Sequence, residues 1–262
     1  MAGEILIEWQ EDVAVVRIAR ETKANALTRA MLADLRNALH ESAEAGAVGV
    51  VLTGGVNLFS AGMDLAEVGN GVGDMEVDDE IRKTTELIGA LAIPTLAAVE
   101  GRCIGAAVEI ALACDLRVVG GGADFSIPAA RLGILYRPDA VASLVKVAGR
   151  ATAMRLLVFC ERIDAAEAAV RGLATHVVAD GTALTAALAL CAGLARDTTE
   201  AVRATRRLIA QLGKADDDVS SWEDERRRLL ASDARTQALA RARPGTSRFD
   251  PDAPSDNVGG DR

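Results

Sequence analysis

The sequence predicts an α/β fold with a helical C-terminal region, and three observations carry that prediction. Apolar runs of strand length recur through the first half, segments of helical periodicity stand between them, and beyond about residue 139 the pattern becomes Ala-rich and helical. The 262 residues suffice for a sizeable core, and length alone permits one large domain or two small ones.

In chain order, EILIEW (4–9) and VAVVRIA (13–19) read as paired strands with Gln10, Glu11 and Asp12 as their turn. Thr28 is placed to cap a helix through about Ala45, because Met31, Leu32, Leu35 and Leu39 fall at helical spacing. GVVLTG (49–54) is a buried strand. TLAAVE (95–100), a helix over 105–113 and DLRVVG (115–120) repeat the strand, helix, strand order. VGNGVGDMEVDD (68–79) mixes glycines with acids without periodicity and is expected to be a mobile surface loop; the helix suggested by Ile81, Leu87, Ile88 and Leu91 follows it and stops before Pro94. Helical segments are expected at 139–148, 151–160, 164–171, 182–195, 199–212 and 219–241. The resulting division is a core over 1–195, a helical region over 196–248 and a tail over 249–262, too poor in apolar residues to order itself.

Composition removes several classes of function. Half the residues are hydrophobic, yet charges interrupt every apolar stretch well short of the ~20 residues of a membrane span. The first residues, MAGEILIEWQ, show no basic segment followed by an apolar one, so a cytoplasmic protein is expected. A formal charge of −9 argues against broad binding to nucleic acid or an anionic membrane, although a local basic patch could still receive a small anion. Cys103, Cys114, Cys160 and Cys191 are too far apart for a metal knuckle or redox dithiol and read as buried free thiols. His40 and His176 lack ligand clusters, so no metal is expected. Ser60 lacks the glycine that a hydrolase elbow places two residues earlier, and Gly71 and Gly73 lack the third glycine and preceding strand of a dinucleotide loop.

Two Gly/Ala-rich elements remain, each after a strand: LTGGVNLFSAGMDL (52–65) and LAAVEGRCIGAAVEIALACDL (96–116). Small residues at 105–107 open a helix, where free N–H groups and the positive dipole end can meet a developing negative charge. Asp64 can cap a short helix and turn the Met63 N–H toward the same space. Alternatively, the small residues serve only close packing of helix on strand. Glu109 is the one acid in an otherwise apolar helix, either a catalytic group or a buried, hydrogen-bonded structural one.

These stretches resemble the enoyl-CoA hydratase/isomerase, or crotonase, superfamily. The likeness is densest from Leu96 to Leu116, with Glu100-Gly101, the Gly105-Ala106-Ala107 triplet and the Ala113-Cys114-Asp115-Leu116 close. It extends to KANALTRAML (23–32), VVLTGGVNLFSAGMDL (50–65), RLGI (131–134) and IDAAEAAVRGLATHVV (163–178). The resemblance implies a spiral of ββα turns with a helical C-terminal region, assembled as homotrimers or paired trimers. It implies an acyl-CoA substrate, with CoA carried by that substrate rather than held as a cofactor. The backbone N–H groups of Met63 and Ala106 match an oxyanion hole for the thioester enolate, a contribution of ~3 kcal/mol per donor. Lys23, Ala24, Ala61, Gly62, Met63, Asp64 and Leu65, with Gly105 and Ala106, match positions lining the CoA cleft. Glu109 matches the first of two glutamates with which hydratases hold and deprotonate water.

The pattern breaks at the second glutamate, where this chain has Ala129. The common 3,2-enoyl-CoA isomerases take their base from that position, and Arg137 stands where dienoyl-CoA isomerases carry an aspartate. Tyr136 and Arg137 also replace the usual Pro-Gly before the next helix. Tyr136, Asp139 and Glu67 are conceivable substitutes, each with a structural alternative: Asp139 can cap a helix at Ala140, Glu67 can face solvent, and no spacing argument supports Tyr136. The Arg-rich segment 222–244 has the acid and base spacing of a solvated helix, although the equivalent family helix often approaches CoA phosphates. The expectation is an acyl-CoA enzyme with Glu109 as sole carboxylate acid/base. The competing reading is an acyl-CoA-binding protein that has lost its chemistry.

Overall fold

The computed structural model describes residues 3–68, 74–194, 199–212 and 222–242. The tail expected over 249–262 lies outside them. By density of internal contacts the chain divides into two units, Met1–Leu194 and Ala195–Arg262.

The first unit is built on two sheets. β1 (Glu4–Gln10) and β2 (Val13–Ala19) form the opening antiparallel hairpin, and β3 (Gly49–Thr53), β5 (Thr95–Val99), β7 (Leu116–Gly120) and β10 (His176–Val178) extend it in parallel. β4 (Leu58–Ser60), β6 (Arg102–Ile104) and β8 (Asp124–Ser126) run parallel in the second sheet, which β9 (Arg162–Asp164) closes antiparallel. The pairs β3 and β4, β5 and β6, and β7 and β8 are consecutive in the chain. Each coil of the chain therefore lays one strand in each sheet before passing to a helix, which is the spiral expected. β3 and β5 are buried along their whole length, as continuous apolar runs in parallel sheets require.

Helices fill the spaces between coils. α1 (Arg29–Glu44) starts where Thr28 accepts the Met31 N–H at 3.2 Å and buries Met31, Leu32, Leu35 and Leu39. α2 (Asp74–Ala90) begins inside the stretch expected to be a loop. Val77, Ile81, Thr84 and Ile88 keep one face buried, while acids in the first turns suit the positive end of the helix; residues 69–73 lie outside the described part. α3 (Ala106–Ala113) follows Gly105, whose φ of 58° suits a residue without Cβ.

α4 (Pro138–Leu157) starts two residues before Ala140, with Arg137 at the cap position and Pro138 first in the helix. Asp139 therefore sits inside the first turn rather than capping it. Gly149, at φ 79°, breaks this helix between the two segments read from sequence. α5 (Ala165–Val170) is capped by Asp164, and α6 (Ala183–Ala192) by the buried Glu100, whose Oε1 accepts the Ala183 N–H at 2.8 Å. β9 and β10 interrupt what periodicity suggested was an almost wholly helical region. All four cysteines are buried and free.

In the second unit, α7 (Thr199–Gln211) is followed by α8 (Trp222–Leu230) and α9 (Asp233–Ala242), so the helix expected over 219–241 is two. Ser232 divides them, its hydroxyl accepting the Arg235 N–H at 3.2 Å. The Trp222 indole donates to Gln211 at 2.9 Å, and the arginines of α8 pair with acids three residues earlier. Among the described residues no helix is long and apolar enough to cross a membrane.

Candidate active site

The two Gly/Ala-rich elements meet at Gly62. At φ 83° this residue has space for hydrogen only: a Cβ there would lie 2.4 Å from the Ile104 carbonyl oxygen and 3.1 Å from the Ala106 nitrogen. The backbone of 61–63 is thereby pressed against the start of α3. The Gly62 carbonyl accepts the Leu27 N–H at 2.8 Å and the Leu27 carbonyl accepts the Asp64 N–H at 2.8 Å. The Met63 N–H, between these bonds, and the Ala106 N–H, at the first turn of α3, have no hydrogen-bond acceptor among the described residues.

Asn25, which the sequence reading passed over, holds this arrangement. It is buried in a left-handed conformation (φ 53°). Its Oδ1 accepts the Arg20 N–H at 2.9 Å, and its Nδ2 donates to the carbonyls of Leu58 at 3.2 Å and Phe59 at 3.4 Å. Ser60 completes the clamp, its hydroxyl donating to the Asn25 carbonyl at 2.8 Å and accepting the Gly62 N–H at 3.0 Å. The one sequence signal was an asparagine amid the short polar turn before α1, a residue type that tolerates positive φ.

Met63 and Ala106, which carry the two free amides, line a cavity of about 810 Å³. Lys23, Ala61, Met63, Asp64, Leu65 and Gly105 line it with Ala106 and Glu109. Ala24 and Gly62 do not line it; they act behind the wall, Ala24 by accepting the Ala61 N–H at 3.0 Å through its carbonyl. Asp64 caps the turn over Leu65–Glu67 by accepting the Ala66 N–H at 3.0 Å and pairs with Arg20 at 2.6 Å. Those two interactions, the backbone one foremost, hold its carboxyl below the usual range.

Glu109 projects from the first turn of α3 to the far part of the cavity, where its side chain is 12% exposed. Burial pushes its carboxyl from the ordinary 4.5 up to about 7, against the pull of the Arg137 charge and, less, of the Tyr136 phenol. Arg137 is the partner that sequence did not supply. Its Nη2 donates to Glu109 Oε2 at 2.9 Å, its Nη1 donates to the Asp78 carbonyl on α2, and its Nε meets Asp139 Oδ1 at 3.2 Å. A buried acid in an apolar helix calls for a cation, but nothing local identifies one 28 residues away.

The remaining candidates separate clearly. Ala129, buried in the turn over Pro128–Leu132, lines the cavity without an ionisable group. Tyr136 also lines it; its buried hydroxyl makes no well-formed hydrogen bond among the described residues, and burial, with Glu109 alongside, raises the phenol well above its ordinary value. Glu67 is away from the cavity and pairs with Arg29 at 2.9 Å. Asp139 borders a separate cavity of about 230 Å³ behind Glu109, Tyr136 and Arg137. Asp78, within the stretch read as a loop, lines the main cavity, and its charge also bears on Glu109.

The arrangement joins two unpaired backbone donors to a carboxyl poised near neutrality, a combination that can stabilise an oxyanion while moving a proton beside it. Comparisons with known proteins agree in kind. The family model for enoyl-CoA hydratase/isomerase matches residues 8–235. The 2,3-dehydroadipyl-CoA hydratase of Escherichia coli is 31% identical over 210 residues, 80% of this chain and 82% of that protein. An enoyl-CoA hydratase/isomerase family protein from Hyphomonas neptunium superposes with a TM-score of 0.85 at 26% identity, covering 91% of this chain and 94% of the other. An enoyl-CoA hydratase from Bacillus anthracis gives 0.81 at 27% identity, with 91% and 95% covered. With its crotonase fold and a match running through nearly the whole first unit, this chain belongs to the enoyl-CoA hydratase/isomerase family.

Proposed function

We propose that this protein is an acyl-CoA-thioester enzyme of the hydratase/isomerase type. The Met63 and Ala106 N–H groups bind the thioester carbonyl and its enolate, and Glu109 is the acid/base; hydration or double-bond migration is the reaction. The observation that carries this reading is that Met63 and Ala106, which hold the two unpaired amides, and Glu109, its carboxyl raised to about 7, line one cavity. A base with that proton affinity is half ionised near neutral pH, where transfer in either direction is effective. Lys23, at the rim and exposed, suits the anionic CoA portion. The same reading includes trimers or paired trimers, for which exposed Leu135, Phe159 and Val170 offer apolar surface.

Ala129 and the ion pair on Glu109 favour a second reading, an acyl-CoA binder without turnover. Glu109→Gln separates the two. The enzyme reading expects turnover of enoyl-CoA thioesters to be lost while calorimetric affinity for the thioester stays within about threefold, because the amide donors belong to the backbone. Affinity for octanoyl-CoA no greater than for octanoate would remove both readings. Wild-type binding without turnover across short, long and branched enoyl-CoAs would leave the binder.

A further inference from the structure

We propose that Asp78 is the second carboxylate of this site, holding the reacting water together with Glu109 in the role that Ala129 cannot fill. The proposal rests on the acyl-thioester reading above and commits it to hydration of an α,β-unsaturated thioester.

Three acids border the main cavity: Asp64, Asp78 and Glu109. Asp64 is held by Arg20 and the Ala66 N–H, on the coil that carries Met63. Asp78 and Glu109 lie around Arg137, whose guanidinium bonds the Glu109 carboxylate with one nitrogen and the Asp78 carbonyl with another. Arg137 thus ties α2 to α3 and fixes the distance between the two acid-bearing turns. Asp78 lines the same cavity as Glu109 and Tyr136, and its charge acts on both. The other substitutes lack that position: Glu67 and Asp139 do not border the cavity, and Tyr136 remains a neutral phenol.

The step balances with these groups alone. The water oxygen bonds to the β-carbon as one water proton passes to Glu109, and the π pair moves to the thioester oxygen between the Met63 and Ala106 N–H groups. Asp78 accepts a hydrogen bond from the hydrogen that water retains and is itself unchanged. Glu109 then returns its proton to the α-carbon as the enolate collapses, giving the β-hydroxyacyl thioester.

Asp78→Asn tests the assignment, because it keeps the backbone carbonyl that holds Arg137. Crotonyl-CoA hydration should fall about 100-fold in kcat, the scale of misplacing a reacting group, with KM within about threefold and an unchanged unfolding midpoint. The acid limb of the pH profile should also move to lower pH, since the Asp78 charge contributes to the raised Glu109 pKa. Adding Ala129→Glu to Asp78→Asn should restore hydration. A kcat within threefold of wild type, or joint loss of turnover, affinity and stability, overturns the role of Asp78 while leaving the acyl-thioester reading standing. Failure of the wild-type protein to bind any CoA thioester overturns both.

Discussion

Replacing Arg137 with methionine should shift the proton chemistry of Glu109 upward and make the protein's stability more sensitive to pH. The guanidinium sits 2.9 Å from Glu109 Oε2, with both side chains 12% exposed. It opposes the burial that lifts the carboxyl to about 7. An opposite charge at this range lowers a carboxyl pKa by roughly 1 to 3 units, so its removal should carry the acid limb of kcat/KM from near pH 7 to pH 8 or above. Glu109 has a folded pKa raised above its unfolded value, so its favourable contribution is complete below about pH 4.5 and is lost as pH rises through the folded pKa. A variant pKa near 8.5 extends that loss, costing Arg137→Met about 1 kcal/mol more than wild type between pH 5 and pH 8. Urea denaturation at the two pH values, with kcat/KM measured from pH 5.5 to 9.5, covers both effects. An acid limb that stays put or moves down would refute Arg137 as the charge that holds Glu109.

Two further outcomes follow from the same geometry. Glu109→Gln removes the titration, so wild type should lose roughly 2 to 3 kcal/mol relative to this variant between pH 5 and pH 8, the free energy of a carboxyl moved from 4.5 to about 7; parallel stability curves would show that burial does not govern this carboxyl. Asn25→Ala strips acceptors and donors from Arg20 N–H and the Leu58 carbonyl and puts alanine at positive φ, so denaturant titration should show a loss of roughly 3 kcal/mol, together with weaker thioester binding as the coil under Met63 loosens. A loss below 1 kcal/mol would mean the clamp is dispensable.

What could be read from the sequence is what repeats locally. β1 to β3, α1 with its Thr28 cap and α3 after Gly105 each carry their periodicity or capping residue within a few positions. The co-location of 61–65 with 105–109 came from resemblance, and Gly62 supplies its physical reason. The start of α2 differs from the expected loop because Asp74, Glu76, Asp78 and Asp79 look like solvated loop, although acids near an N-terminus also favour a helix. Glu100, part of the densest motif, bonds a helix 83 residues later, and Asn25 joins segments more than 30 residues apart. No window of sequence contains such partners.

Arg137 is the sharpest case, because the need for it was legible and its identity was not. A carboxylate within an apolar helix requires a counter-charge, and the chain offers 29 Lys and Arg residues from which only the fold selects. Its selection also bears on the missing acid. Where relatives by resemblance carry a second glutamate, Ala129 removes a negative charge from the cavity wall, and Arg137 adds a positive one beside Glu109. In the proposed chemistry, the Arg137 charge favours negative charge developing on a thioester oxygen. On that reading the altered pair trades a carboxylate at position 129 for a cation beside Glu109. It leaves the handling of water to whichever carboxylate the Arg137 bridge brings alongside Glu109, and that carboxylate is Asp78.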